Sequence, residues 1–97
     1  MAAMELSLDK TALLVVDMQN SFCAEDGGCG RTGLPIQNLQ SAIQPCVKVV
    51  AAARAAGIPV IYTRYMYRPD YADGGVLVKH LLPELKEAGA LQAGTWD

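Results

Sequence analysis

The sequence lacks the features of several common protein classes. Among its 97 residues there is one histidine, and aromatic residues make up 6%. The longest apolar run, residues 12–16, is far too short to span a bilayer, and the N-terminus lacks the basic start of an export signal. We therefore expect no membrane segment and a cytoplasmic protein.

Positive charge is also sparse and scattered. Eight Lys and Arg residues stand against ten Asp and Glu residues, which gives a net charge of −2. A nucleic-acid surface needs clustered basic residues that displace counterions from the phosphates. Since the basic residues are spread along the chain, we expect no nucleic-acid partner.

Cysteines with metal-ligand spacing are missing as well. Cys23, Cys29 and Cys46 are odd in number and contain no CxxC pair, and His80 lies far from them in the sequence. We therefore expect no metal site and no cofactor. Without a secretion signal, free thiols in a reducing cytosol are the expected state of these cysteines.

What is present follows a strand–helix–strand order. Residues 11–17 form a continuous apolar run that ends in an acid, which predicts a parallel strand buried on both faces. Apolar residues at helical spacing predict a helix over residues 38–56, with a kink or break at Pro45 and a stop at Gly57. Residues 58–63 predict a second strand. The whole is a βαβ unit with a right-handed crossover.

The remaining segments carry turn residues. Residues 19–35 predict a long loop, a kind of segment that is often functional, with a flexible turn at residues 27–30. Residues 64–75 predict a second loop. Residues 76–88 predict a helix that Pro83 divides.

Two strands and one crossover helix make an incomplete sheet. A two-stranded sheet is not stable by itself, and strands this apolar need cover on both faces. We therefore predict an α/β fold with a doubly wound, Rossmann-like parallel sheet and helices on both faces, of which only the first half is present. Residues 1–97 then form a single domain that stops before its third strand.

Asp17 is the most informative single residue. It lies at the carboxyl end of the first predicted strand, and this is the edge where open α/β sheets bind ligands. A carboxylate there is suited to accept a proton. The alternative is an acid that ends the strand and caps the next loop through backbone hydrogen bonds.

Three other interpretations of this strand fit less well. A phosphatase of the haloacid-dehalogenase type needs a second Asp two residues later, where this chain has Gln19. A response-regulator receiver domain needs paired acids near its first strand. A dinucleotide fold needs GxGxxG directly after the strand, whereas these glycines begin ten residues later, so residues 27–30 do not predict a phosphate cradle.

Three ordered blocks of sequence resemble one family. Residues 12–22 (ALLVVDMQNSF) form a strand that ends in Asp and is followed by x-Gln-x-x-Phe. Residues 53–63 (ARAAGIPVIYT) form a helix-to-strand passage, and residues 91–97 contain Gly-Thr-Trp. In this order, and over essentially the whole chain, the blocks resemble the isochorismatase-like cysteine hydrolase superfamily.

The resemblance implies a homo-oligomeric hydrolase that cleaves C–N bonds of small amides, ureides or carbamoyl compounds. In that family an Asp takes the proton of a Cys thiol, the thiolate attacks a carbonyl, and a thioester is hydrolysed while a Lys supports the charge. Asp17 matches the Asp. The Lys and the Cys belong to the second half of the family fold, beyond residue 97, and none of the three cysteines here matches the nucleophile.

Four further residues are predicted to bind substrate. Phe22 resembles an aromatic residue of the family pocket, with a core residue as the alternative. Gln19 either faces the pocket or holds the loop. Arg64 and Tyr65 follow the second strand, where they are placed to orient a substrate carboxylate or carbonyl, with solvated loop residues as the alternative. The histidine pair of metal-dependent members of the superfamily is absent at this point.

Two non-catalytic hypotheses stay open. In the first, the chain is a half-domain that associates with a complementary C-terminal half on a partner chain. In the second, it is a small-molecule binding module on the same sheet edge, with ligand affinity that does not depend on a thiol. By the family mechanism, the isolated chain is expected to be inactive.

Overall fold

The computed structural model of this chain describes residues 3–97. Residues 1 and 2, part of the N-terminal segment in which no export signal is predicted, lie outside this range. The regular elements are strand β1 (Leu13–Val15), helices α1 (Asn20–Cys23), α2 (Gly28–Arg31), α3 (Gln37–Ser41) and α4 (Ile43–Ala55), strand β2 (Val60–Tyr62) and helix α5 (Glu84–Glu87). A 3-10 turn at Leu8–Lys10 precedes β1, and a π-helical turn at Leu77–Leu81 precedes α5. No helix in this described part is long and apolar enough to cross a membrane.

The two strands pair in parallel. Leu13 lies opposite Val60 and Val15 opposite Tyr62, and the N–H of Thr63 continues the ladder by donating to the carbonyl of Val15 at 2.9 Å. A helical crossover connects the strands. The predicted βαβ unit and the α/β fold class are therefore confirmed.

Both strands are shorter than the predicted ranges of residues 11–17 and 58–63. On β2 the ladder begins at the carbonyl of Pro59, which accepts the N–H of Leu13 at 2.8 Å, and it extends no further back because proline has no N–H to donate. On β1 the chain leaves the strand at Asp17, whose φ is 55°. The apolar sequence continues past the ladder into Val16, which is 57% exposed, so the apolar pattern overestimates the length of β1.

The helix predicted over residues 38–56 is in fact two helices, α3 and α4, separated at Ala42. We expected the break at Pro45 itself, and it lies three residues earlier. Proline has no N–H for the carbonyl of Ser41 and its ring crowds that carbonyl, so the chain breaks earlier and Pro45 falls in the first turn of α4, where no N–H is needed. The stop at Gly57 is confirmed, with a left-handed φ of 74°.

The segment over residues 19–35 is not the loop that its glycines predict. It contains the single helical turns α1 and α2, and the supposedly flexible residues 27–30 are packed, with Gly28 buried in α2. Glycine disfavours helices, so the sequence pattern hides this turn. Tertiary contacts stabilise both turns instead: the side chain of Asp97 accepts the N–H of Gly28 in α2 at 3.1 Å, and its carbonyl accepts the N–H of Ser21 in α1 at 3.2 Å.

The C-terminal part follows its prediction more closely. The π-helical turn ends before Pro83 and α5 follows it, which confirms the predicted division of residues 76–88. The second loop and the last residues come together, because Tyr67 and Gln92 form an isolated parallel bridge.

The buried core lies beside the sheet rather than on it. Its members come from the second loop and from the C-terminal segments: Tyr67, Tyr71, Val78, Leu85, Ala90 and Leu91. Phe22 of α1 and Leu82 pack against this cluster. Among these core residues, Tyr71 donates its buried hydroxyl to the carbonyl of Ala90 at 2.6 Å. The core therefore connects α1 with residues 67–91.

The sheet itself leaves apolar surface in water. Leu14 and Ile61 are paired across the two strands and are 55% and 51% exposed. The helix α4 contacts both strands on the other side, where Val15 is buried. Burial on both faces was predicted, and within residues 3–97 it is found on one, because two strands and one crossover helix provide no second layer.

Gly28→Ala is expected to lower the free energy of unfolding. A Cβ at this position would overlap the side chains of Ala90 and Asp97, and forcing extra volume into a packed site costs about 1–3 kcal/mol. Urea unfolding measures the change. The comparison variant is Gly33→Asn: this position has open space but a left-handed φ of 81°, so its cost comes from backbone strain and not from overlap, and a loss of about 1 kcal/mol is expected. Equal stability of Gly28→Ala and the unmodified chain would contradict the packing.

Candidate functional site

Asp17 lies where β1 ends, beside the carboxyl end of β2. Its positive φ of 55° turns the chain out of the strand, a conformation that is uncommon outside glycine but is tolerated by aspartate. Its N–H donates to Oγ1 of Thr63 at 3.2 Å, and its Oδ1 accepts the hydroxyl of the same residue at 2.8 Å. The half-buried carboxylate is thus held at the sheet edge by a side chain of the neighbouring strand.

Sequence reasoning misses Thr63. A signal for it is present, because Thr63 closes the second predicted strand just as Asp17 closes the first. The carboxyl ends of neighbouring parallel strands meet at one edge of the sheet, so the two final residues become neighbours. The exact pairing depends on the register, which the pattern does not specify.

Gln19 joins three backbone groups. Its Nε2 donates to the carbonyl of Tyr65 at 2.9 Å and to that of Asp97 at 3.1 Å, and its Oε1 accepts the N–H of Tyr65 at 2.8 Å. The amide therefore ties the loop after β1 to the loop after β2 and to the end of the described chain. Gln19 was predicted either to hold the loop or to face the pocket, and these hydrogen bonds hold the loop. Its contact with a substrate stays a prediction.

A cavity of about 260 Å³ opens between the segments that Gln19 joins. Three of the four predicted substrate-binding residues, Gln19, Arg64 and Tyr65, lie on its wall, together with residues 91–97. Neither Phe22 nor Asp17 is part of that wall. We call this space the edge cavity.

Phe22 packs into the core instead. Its ring meets that of Tyr65 edge to face, with centroids 6.3 Å apart. Tyr65 in turn contacts Tyr67 edge to face at 5.3 Å, and their hydroxyls are hydrogen-bonded at 2.8 Å. These contacts favour the core interpretation of Phe22, and they anchor Tyr65 to the core while part of its ring faces the edge cavity.

Arg64 presents a cation at the edge cavity. Its Nη2 approaches Sδ of Met66 at 3.4 Å, and within the described residues it forms no ion pair. A guanidinium in this situation is able to bind an anionic group of a ligand. Whether it binds substrate stays a prediction.

A second cavity, of about 490 Å³, lies between α4 and the sheet. Its wall is mostly apolar and includes Val15 and Val50, and its polar part contains Arg54, which donates to the hydroxyl of Tyr62 at 2.9 Å. None of its lining residues except Gln19 belongs to the predicted site.

Asp97 is the second residue that sequence reasoning misses. Its side chain is 3% exposed and accepts hydrogen bonds from the N–H groups of Gly28 at 3.1 Å and Leu91 at 3.0 Å, and from Arg31 at 3.4 Å. A buried carboxylate needs such partners to offset its lost hydration. The only signal was its place after the Gly-Thr-Trp block, which points to a family rather than to a role.

The thiols are free, and the pKa values of two of them are raised. Cys23 lies on α1 and Cys29 on α2, which corrects their predicted positions in a loop, while Cys46 lies on α4 as predicted. Burial raises the pKa of the Cys29 thiol above its ordinary 9.0, and burial likewise raises the pKa of Cys23. A nucleophilic thiol needs the opposite shift.

The described residues bring no three His, Cys, Asp or Glu side chains together as a metal-binding group. His80 is exposed on the π-helical turn. The expectation that the protein uses no metal and no cofactor stays a prediction.

The fold and the sequence blocks agree with one protein family. Residues 11–97 match the model of the isochorismatase domain. The chain belongs to the isochorismatase family. The family resemblance that the three blocks predict is therefore confirmed.

Several curated relatives carry the name ureidoacrylate amidohydrolase RutB. The protein of Methylorubrum extorquens AM1 is 33% identical over 101 residues, which covers 92% of this chain and 40% of that protein. The protein of Pseudomonas syringae pv. syringae B728a is 41% identical over 100 residues, 91% of this chain and 40% of that protein. For Agrobacterium fabrum C58 the identity is 34% over 104 residues, with coverages of 95% and 45%. The chain thus spans about two fifths of the length of the relatives it matches.

Gln19→Glu is expected to destabilise this isochorismatase-family chain. The change removes the Nε2 donor and places a carboxylate against the carbonyls of Tyr65 and Asp97. These bonds are exposed or part-buried, and hydrogen bonds contribute about 0.5–1.5 kcal/mol each, so a loss of about 1–2 kcal/mol is expected for the two that Nε2 donates. Thermal unfolding measures it as a lower Tm. Asn20→Asp is the matched control: it has the same charge change but interrupts a single exposed hydrogen bond to Trp96, so a smaller shift is expected. Equal decreases in Tm for the two variants would show that the hydrogen bonds of Gln19 to Tyr65 and Asp97 make no special contribution to stability.

Alkaline pH is expected to destabilise the fold. Burial, followed by the hydrogen bond with Tyr65, raises the pKa of Tyr67 above its ordinary 10.0, and burial raises that of Cys29 above 9.0. Above about pH 9 the unfolded chain therefore binds fewer protons than the folded chain, and the free energy of unfolding falls as pH rises. Urea unfolding between pH 7 and pH 10.5 (about half a unit above the ordinary pKa of tyrosine) measures the slope. Tyr67→Phe is expected to flatten it, and an unchanged slope in this variant would rule out the phenol as a source.

Proposed function

We propose that this chain supplies the general base and part of the substrate pocket of an isochorismatase-family hydrolase. The reaction is cleavage of a C–N bond in a small amide, ureide or carbamoyl compound. The observation that carries the proposal is the carboxylate of Asp17, which Thr63 holds at the carboxyl edge of the parallel strands. The name of the relatives, ureidoacrylate amidohydrolase, supports a ureide as the substrate class.

In the proposed reaction, a cysteine thiol gives its proton to the carboxylate of Asp17. The thiolate forms a C–S bond with the substrate carbonyl carbon, and the C–N bond breaks as the nitrogen leaves with the proton that Asp17 held. Water then hydrolyses the thioester, which releases the acid and restores the thiol. A lysine supports the negative charge that develops.

We propose that this Lys and this Cys are not among the 97 residues of this chain. Burial raises the pKa of Cys23 and of Cys29, so neither is poised as a thiolate. The relatives are more than twice as long as the part matched here, which leaves ample length for both catalytic residues.

The open sheet supports completion by further structure. Leu13 and Val15 bond to β2, so the N–H and C=O groups of Leu14 and Val16 point to the open edge of β1. Apolar strands with open edges are pairing sites. We therefore propose a doubly wound sheet with helices on both faces, in which residues 1–97 are the first half of a single domain.

The edge cavity is the proposed substrate pocket. Arg64 has no ion-pair partner among the described residues and is proposed to bind a substrate carboxylate. The ring of Tyr65 is proposed to form part of the pocket wall. Gln19 is proposed to orient the loop and contact substrate from the wall, and Phe22 to support the ring of Tyr65 from the core. A small-molecule substrate, a cytoplasmic location with reduced thiols and a homo-oligomer complete the proposal.

One observation favours a second candidate function. The exposed pair Leu14 and Ile61 fits a non-catalytic half-domain that works by association with a partner chain. A binding module at the edge cavity would instead bind a ligand without any thiol.

A complementation experiment distinguishes the proposed hydrolase from the non-catalytic half-domain and from the binding module. This chain is co-expressed with the part of the Pseudomonas syringae relative that lies beyond the matched region, and the purified complex is assayed for release of ammonia or carbamate from ureidoacrylate and simple amides. The chain without its complement is expected to be inactive. The complex is expected to be active and to lose activity with iodoacetamide.

Asp17→Asn is the decisive variant in this complex. It keeps the shape of the side chain and removes the base, so a fall in kcat of about 10²–10⁴-fold is expected. Glu25→Gln, an exposed residue with the same loss of charge, is the matched control and is expected to behave like the unmodified chain. Turnover that survives Asp17→Asn contradicts the assignment. A stable but inactive complex favours the half-domain, and ligand affinity that iodoacetamide leaves intact favours the binding module.

A further inference from the structure

The contact between Thr63 and Asp17 is reciprocal. The hydroxyl of Thr63 donates to Oδ1 of Asp17 at 2.8 Å, and Oγ1 of this hydroxyl also accepts the N–H of Asp17 at 3.2 Å. One hydroxyl therefore binds both the main chain and the side chain of a single residue. Because the oxygen accepts from the N–H, its own proton is directed at the carboxylate.

Thr63 is held in place without the help of this hydroxyl. Its N–H donates to the carbonyl of Val15 at 2.9 Å, as the next step of the parallel ladder after the pairing of Val15 with Tyr62. The ladder thus sets the position of Thr63, and the hydroxyl transmits that position to Asp17.

Asp17 is a residue that needs such a partner. Its φ of 55° lies in the left-handed region, which aspartate tolerates but which is uncommon outside glycine, so a neighbouring hydrogen-bond partner helps to hold it. Oδ1 is occupied by the threonine hydroxyl. Oδ2 has no hydrogen bond with any described residue, so it is the oxygen that remains available for a transferred proton.

We propose that Thr63 is a positioning residue of the catalytic base, whose hydroxyl orients the Asp17 carboxylate so that Oδ2 meets the proton of the nucleophile. This proposal rests on the proposed function of Asp17 and adds a residue to it. Thr63 does not line the edge cavity or the cavity beside α4. Its removal therefore acts on the chemical step and not on substrate binding.

The first test is kinetic and uses the complemented complex. Thr63→Val has nearly the same shape and keeps the β-branched side chain, but it loses the hydroxyl. Misorientation of a catalytic group costs up to about 100-fold, so kcat is expected to fall by about ten- to a hundredfold while KM stays within about twofold. Thr63→Ser restores the hydroxyl and is expected to recover most of kcat. Thr11→Val, the same substitution at an exposed hydroxyl that bonds to the carbonyl of Ser7, is the control.

The second test is made on the 97-residue chain itself. Hydrogen exchange of the Asp17 amide, followed by NMR, reports the bond from its N–H to Thr63. Exchange is expected to be at least about tenfold faster in Thr63→Val, which corresponds to one decade in the opening equilibrium, and near the unmodified rate in Thr63→Ser. The amide of Thr63, which is bonded to Val15 in all three chains, reports whether the ladder remains intact.

The outcomes separate the two proposals. Unchanged exchange at Asp17 in Thr63→Val overturns the contact, whether or not the complex is active. Faster exchange together with an unmodified complex that shows no turnover overturns the proposed function, and with it the catalytic use of the contact. A fall in kcat that Thr63→Ser does not rescue, or a rise in KM alone, overturns the positioning role.

Discussion

The buried carboxylate of Asp97 is the group on which the arrangement of this chain depends most. A carboxylate removed from water is tolerated only when donors surround it. Here the donors are the main chain of Gly28 and the side chain of Arg31, both in α2, and the main chain of Leu91, about 60 positions further along the chain. Satisfying one group therefore brings α2, the turn after α5 and the last residues into a single arrangement. The N–H of Gly28, the first residue of α2, is one of these donors, so the carboxylate stabilises the short helix.

The same residue extends this order to the candidate site. The carbonyl of Asp97 accepts the amide of Gln19, and that amide also binds both backbone groups of Tyr65. The loops after the two strands and the C-terminal segment consequently share one set of hydrogen bonds. Asp17 is held at the adjoining strand end by Thr63. The proposed base is thus well anchored although the sheet has two strands within the described residues and exposes Leu14 and Ile61.

Local signals predicted the parts of the fold that local physics controls. The apolar runs around Leu13–Val15 and Val60–Tyr62 became paired strands, and Gly57 ended the crossover helix because glycine adopts the left-handed conformation without strain. The order of the blocks predicted the family. The turns α1 and α2 were not predictable, because each is a single helical turn that depends on contacts distant in sequence. The two glycines of α2 oppose a helix by local propensity, and the N–H of Gly28 bonds to Asp97. The N–H of Ser21 in α1 bonds to the carbonyl of the same residue.

By itself, the sequence determined the family and placed Asp17 at the carboxyl end of a strand, because both follow from the linear order of residues. Tertiary structure alone decided the partners of that carboxylate. Thr63 lies 46 positions from Asp17, and Asp97 lies 78 positions from Gln19, so these pairs depend on strand register and on the return of the chain. The same holds for Phe22, whose aromatic ring suits a pocket or a core equally well. Its place against Tyr65 was decided by which surfaces remained to be buried once the chain had folded.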